Sequence, residues 1–218
     1  LANRIFDNYQ DCNASLLLLG ALFFTFQIYG DFSGYSDIAI GTARLFGINL
    51  RKNFNLPYFS KDIAEFWRRW HISLNKWFID YVYIPLGGSR GTKATVIRNI
   101  LIVFFLSGLW HGANWTFVVW GLYNGIIIAL LTLLNLNHKR SAIISEKRFF
   151  PPLKEFGQIL ITFALVVIGW IFFRAEDLTQ AVDYIANLCD SSIVSMPNFR
   201  DLGLSFIKLT YTLFFIVL

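Results

Sequence analysis

Apolar runs close to the roughly 20 residues needed to cross a hydrocarbon core recur along the chain, separated by short polar and charged stretches. Residues 116–136 and 157–173 contain no charged side chain, and residues 202–218 contain only Lys208. Each run predicts a helix crossing a bilayer. Residues 15–29 form a shorter run that meets Gly30-Asp31-Phe32-Ser33-Gly34, which predicts a polar break, and residues 34–50 then read as a second crossing or a partly buried return. Residues 62–82 follow another pattern, with apolar side chains at 63, 66, 67, 70, 74, 77, 78 and 81 matching the helical period. Glu65, Arg68, Arg69, Lys76 and Asp80 make this stretch too charged to span, so it predicts one helix lying along the interface, with His71 on its apolar face beside Trp67, Leu74 and Phe78. The expected fold is all-α: a polytopic membrane helical bundle with interfacial or re-entrant helices, forming a single membrane domain over residues 1–218.

Composition agrees with that reading. Of 218 residues, 56% are hydrophobic and only 15% charged, against about 25% charged in an average globular domain. The net charge of +5 points to a membrane surface and not to nucleic acid, because Lys and Arg gather in two loops between apolar runs. Residues 51–98 hold nine basic side chains against three acidic, and residues 137–156 hold five against two, which predicts a cytoplasmic position for both. Residues 174–201 carry five acidic and two basic side chains and are expected on the opposite side. The segment between the basic loops must therefore go in and come back, turning near Gly112-Ala113-Asn114. His111 lies fourteen residues beyond Ile97, about 20 Å along a helix, and is expected deep in the membrane. No stretch near the start reads as a removable secretion signal, and the chain reads as a fragment of a longer protein.

The candidate chemistry is sparse. Cys12 and Cys189 lack metal-ligand spacing, so no metal site is expected, and a disulfide between them is left open. The stretch 83–90 has paired glycines but not the Lys-Ser/Thr ending of a phosphate-binding loop. His138 sits beside Lys139 and Arg140 and reads as a solvated side chain. His111 differs, because an ionisable ring flanked by Trp110 and Trp115 interrupts an apolar hairpin, where the default reading is functional. A neutral imidazole there can take a proton from a hydroxyl. His71, among tryptophans, reads equally as a polar tip on an apolar body. Arg68 and Arg69 fit lipid headgroups or the phosphates of a cytosolic donor, and Asp31, Ser33, Tyr35 and Asp37 fit either a lined cavity or a plain loop.

Four blocks in order carry a resemblance: Asp31-Phe32-Ser33-Gly34-Tyr35-Ser36-Asp37-Ile38-Ala39-Ile40-Gly41, Glu65-Phe66-Trp67-Arg68-Arg69-Trp70-His71-Ile72-Ser73-Leu74, Asp80-Tyr81-Val82-Tyr83-Ile84-Pro85-Leu86-Gly87-Gly88, and Gly108-Leu109-Trp110-His111-Gly112-Ala113-Asn114-Trp115. The chain resembles the membrane-bound O-acyltransferase (MBOAT) family, and within it the bacterial alginate O-acetyltransferase branch. That resemblance implies a helical bundle with a cytosolic funnel, an essential histidine at His111 and a second at His71. Trp110, Asn114, Arg69, Asp31 and Tyr35, in the same blocks, become candidate substrate-binding residues. It further implies no bound cofactor, acetyl-CoA as acyl donor on the cytosolic side, and a multi-pass place in the bacterial inner membrane. The lipid bilayer and a periplasmic acetyltransferase or polysaccharide-export protein are the implied partners. The expected reaction is acetyl transfer toward hydroxyls of an extracytoplasmic polysaccharide, alginate-like or a cell-wall glycan. Two competing readings are D-alanyl transfer to teichoic acid on the same fold and a haem protein ligated by two histidines.

Overall fold

Eight α-helices carry the residues described by the computed structural model, 1–136 and 151–197. The expected span at 202–218, His138 and most of the basic loop 137–156 lie outside the described residues. The helices are α1 (Ala2–Asp7), α2 (Ala14–Leu45), α3 (Ile63–Arg69), α4 (Ile72–Phe78), α5 (Lys93–His111), α6 (Trp115–Leu133), α7 (Leu153–Arg174) and α8 (Leu178–Leu188). Among the described residues, α2, α5, α6 and α7 are long and apolar enough to cross a membrane.

The polar break expected at residues 30–34 does not exist. α2 is one helix of 32 residues, about 48 Å long, started by the Asn13 side chain accepting from the Leu16 N–H. Gly30 and Gly34 stand in open space on it, and a glycine costs only about 1 kcal/mol in a helix interior. Burial of Leu16, Leu17, Ala21, Phe23 and Phe24 outweighs that and carries the helix through.

The single interfacial helix expected over 62–82 is also corrected. α3 stops at Arg69, the chain turns through an extended Trp70 and a left-handed His71 (φ 44°), α4 follows, and residues Ile79–Tyr83 widen into a π-helical turn. Packing overrides the period here. Trp70 is buried against Tyr58, Phe66 and Trp170, whereas Trp77 and Tyr81 stand exposed, so the two halves serve different surroundings.

α5 and α6 form the expected hairpin, turning at residues 112–114. Their backbones approach so closely that a Cβ on Gly121 would lie 2.3 Å from the Phe104 carbonyl oxygen, and one on Gly108 2.5 Å from that of Phe117. Small residues of this kind let membrane helices pack on van der Waals contact. α7 runs antiparallel to α6, with the Tyr123 hydroxyl donating to the Leu165 carbonyl at 2.9 Å and Trp120 stacked on Trp170 at 6.0 Å.

At one end of the bundle Lys93 reaches the Leu133 carbonyl and Lys61 pairs with Glu155 at 2.8 Å, so the described parts of both basic regions meet. At the other end the hairpin turn meets the acidic stretch, through Asn114 donating to the Glu176 carbonyl at 2.7 Å, and Arg174 pairs with Asp7. α8 packs there too, its buried Tyr184 donating to the Leu17 carbonyl at 2.6 Å. Cys12 and Cys189 are free thiols, and burial followed by Asp11 pushes the Cys12 thiol up to about 11.

Candidate active site

His111 is the last residue of α5. The helix begins at Lys93, its Thr92 cap accepting from the Thr95 N–H, so His111 lies about 27 Å along it, at the hairpin turn and farther along than the count from Ile97 placed it. Its Nδ1 is 2.7 Å from the Ser107 carbonyl oxygen one turn back. A carbonyl only accepts, so in the neutral ring Nδ1 carries the proton and Nε2 presents its lone pair. Four aromatic rings enclose the imidazole: Trp120 at 4.8 Å, Trp110 at 4.9 Å, Phe173 at 5.3 Å and Phe117 at 6.4 Å. Gly112 leaves room for this arrangement, since a Cβ there would sit 2.6 Å from the Phe117 ring.

His71 occupies the joint between α3 and α4 and not the middle of a helix face. Its ring meets Phe32 edge-on at 4.7 Å and Trp110 at 6.3 Å, and its Nδ1 is buried without a hydrogen bond. Burial first, and repulsion from His111 second, hold this imidazole down at about 4 from its ordinary 6.5. The fold thus gathers two histidines from distant blocks around Trp110, itself 59% exposed. Beside them lies a cavity of about 330 Å³ between the α3–α4 pair and α5, lined among others by Trp67, Arg68, Asn75, Tyr83, Phe104 and Ser107.

The other expected substrate-binding residues stand elsewhere. Arg69 is buried in an ion pair with Glu65 at 2.5 Å and also reaches toward the Leu56 carbonyl, because a charge so enclosed must be paired. Asn114 spends its whole amide on structure: Oδ1 caps α6 at the Thr116 N–H and Nδ2 binds the Glu176 carbonyl. Asp31 and Tyr35 are exposed on the outer half of α2, Tyr35 lining a separate cavity of about 320 Å³ with Ser36, Asn53 and Ser73. The side chain of α2 that reaches His71 is Phe32. Phe32, Ser107, Trp120 and Phe173 were missed by sequence reasoning. Ser107 was detectable as the residue four before His111, whereas the rings required the packing.

Residues 11–172, which hold both histidines and the aromatic box apart from Phe173, match the family model of MBOAT, the membrane-bound O-acyltransferase family. The chain belongs to that family. Within it the chain sits in the alginate O-acetylase-like branch: it is 50% identical over 163 residues to a probable alginate O-acetylase of Pseudomonas aeruginosa, covering 75% of this chain and 29% of that protein. It is 40% identical over 176 residues to a peptidoglycan O-acetyltransferase of Helicobacter pylori, covering 81% and 32%. A teichoic acid D-alanyltransferase of Bacillus subtilis is more distant, 32% identical over 161 residues, covering 70% and 40%. The chain thus spans less than a third of the length of the alginate O-acetylases it matches.

Proposed function

We propose that this MBOAT chain holds the transfer centre of an enzyme of the bacterial inner membrane that moves an acetyl group from a cytosolic donor toward hydroxyls of an extracytoplasmic polysaccharide. The observation that carries this reading is the His111 imidazole, held through Nδ1 by the Ser107 carbonyl and half-buried among four aromatic rings, so that Nε2 keeps its lone pair for a proton. In the proposed step the acceptor oxygen attacks the thioester carbonyl carbon while its proton passes to Nε2. The C–S bond then breaks, and the departing thiolate takes the proton back from the imidazolium. His71, across Trp110, relays the proton or holds the donor. Acetyl-CoA suits the site as donor, since the 330 Å³ cavity admits a slender arm and the exposed Arg68 on its lining offers a cation for phosphate. O-acetylation is favoured over D-alanylation because the O-acetylating relatives are the more similar ones. A periplasmic acetyltransferase or a polysaccharide-export protein is the proposed partner on the far side of the membrane.

His111→Gln in the full-length protein tests the reading. Glutamine keeps much of the size and hydrogen-bonding capacity but cannot act as a base near neutral pH. Acetyl transfer is expected to fall by about 10²–10⁴-fold at equal expression, the scale of a removed acid–base group. Near-normal polysaccharide acetylation would overturn it.

A further inference from the structure

The joint that presents His71 is built against the preference of its own sequence. Its helical period runs unbroken from residue 63 to 81, with neither glycine nor proline at the bend, yet His71 adopts a left-handed backbone (φ 44°, ψ 54°). Such a conformation is uncommon outside glycine and persists where its surroundings impose it. Breaking a helix also orphans the last carbonyls of the first half and the first N–H groups of the second. His71 stands at the cap position of α4, where Ser, Thr, Asp or Asn would normally satisfy those donors, and its side chain makes no capping hydrogen bond.

Asn53 meets those donors in its place, and Asn75 meets the orphaned carbonyls. The Asn53 backbone carbonyl accepts from the Ile72 N–H at 3.0 Å, its Oδ1 accepts from the Ser73 N–H at 3.1 Å, and its Nδ2 donates to Ser36 on α2 at 3.3 Å. Asn75, on the first turn of α4, reaches back across the joint and donates through Nδ2 to the carbonyls of Trp67 and Trp70, the latter at 2.6 Å. The Asn55 N–H closes the set on the Arg69 carbonyl at 3.0 Å.

We propose that Asn53 and Asn75 are positioning residues for His71: together they cap both sides of the joint, hold it bent, and leave the imidazole free to face Phe32 and Trp110. Without them the sequence period draws residues 63–78 toward one straight helix and swings His71 away from the His111 box. This inference rests on the proposed part of His71 in acetyl transfer.

The test uses the full-length enzyme and compares Asn75→Ala, Asn53→Ala, Asn53→Asp and His71→Ala, singly and combined, with melting in detergent as the folding control. Asn75→Ala and Asn53→Ala should each lower kcat by about 10- to 100-fold, the scale of a misplaced group. Asn53→Asp keeps the acceptor that caps Ser73 and should stay within about threefold of wild type. In a His71→Ala background Asn53→Ala, which lies outside the donor cavity, should cost nothing further, since residues acting through one group are not additive. A loss that multiplies in that background would make Asn53 merely structural and overturn the inference. So would full activity in Asn75→Ala and Asn53→Ala beside an impaired His71→Ala, with the reading of His71 left standing. Full activity in His71→Ala overturns both. Should Asn75→Ala fail to accumulate, the Asn53→Ala and Asn53→Asp pair decides alone.

Discussion

The two histidines reach the same place by opposite means. His111 ends a 19-residue helix, its ring fixed by a carbonyl four residues back and its turn by glycine and an Asn114 cap three residues on. His71 sits at a bend its own neighbours oppose, held by asparagines, one of them about 20 residues away, and faced by Phe32 from another helix. A position set by local hydrogen bonds tolerates change elsewhere in the chain. A position set by distant ones inherits every perturbation of the elements that hold it.

The sharpest way to break the contrast is to destroy the hairpin that carries His111. Gly121→Leu would drive a side chain into the Phe104 carbonyl, where even a Cβ finds 2.3 Å. It is expected to destabilise by about 3 kcal/mol or more, as overpacking at a closed backbone contact does. A melting temperature and expression equal to wild type would refute the close hairpin packing.

A smaller effect probes the joint through pH. The folded His71 titrates near 4 and the unfolded side chain near 6.5, so between these values the unfolded chain binds more protons. Stability should therefore fall as pH drops from 6.5 to 4 and level off below that, by on the order of 2 kcal/mol after discounting for the solvent that reaches a half-buried ring. Melting temperatures across that window should slope less in His71→Gln than in wild type. Identical slopes would mean that the His71 ring is as hydrated as in the unfolded chain.

The smallest expected effect separates capping from chemistry at the turn. Asn114→Ala removes the α6 cap and should lower stability by about 1 kcal/mol. At a temperature where the variant is fully folded its acetyl-transfer rate should match wild type. A large loss of kcat without a loss of stability would instead show Asn114 acting on the substrate, the role its motif implies.

Much of the candidate site is legible in the sequence. An ionisable ring flanked by indoles in an apolar hairpin singled out His111, and the hairpin turned where the glycine and asparagine stood. The helices over 116–136 and 157–173 were equally plain, appearing as α6 and α7 within a few residues. Misreadings arose where a local feature was opposed by distant packing. Gly30 and Gly34 looked like a break, but buried apolar side chains earlier on the same helix carried it through. Arg69, which by sequence fits a lipid headgroup or a donor's phosphates, is held in a buried ion pair with Glu65 that its spacing alone did not single out.

By itself the chain determined its solvent and its grammar: apolar runs of spanning length, basic stretches between them, and a histidine flanked by indoles at a turn between two such runs. These follow from short-range terms, hydrophobic period and backbone hydrogen bonding, that one segment expresses without reference to another. Only the tertiary structure decided that Phe32, Trp110, Trp120 and Phe173 would enclose the two imidazoles, and that Asn53 and Asn75 would bend an otherwise straight helix to bring His71 among them. The reason is energetic. Burying aromatic rings from three or more helices, and satisfying the backbone groups that a bend exposes, depend on partners remote in sequence, and their sum outweighs the helical preference of residues 63–81.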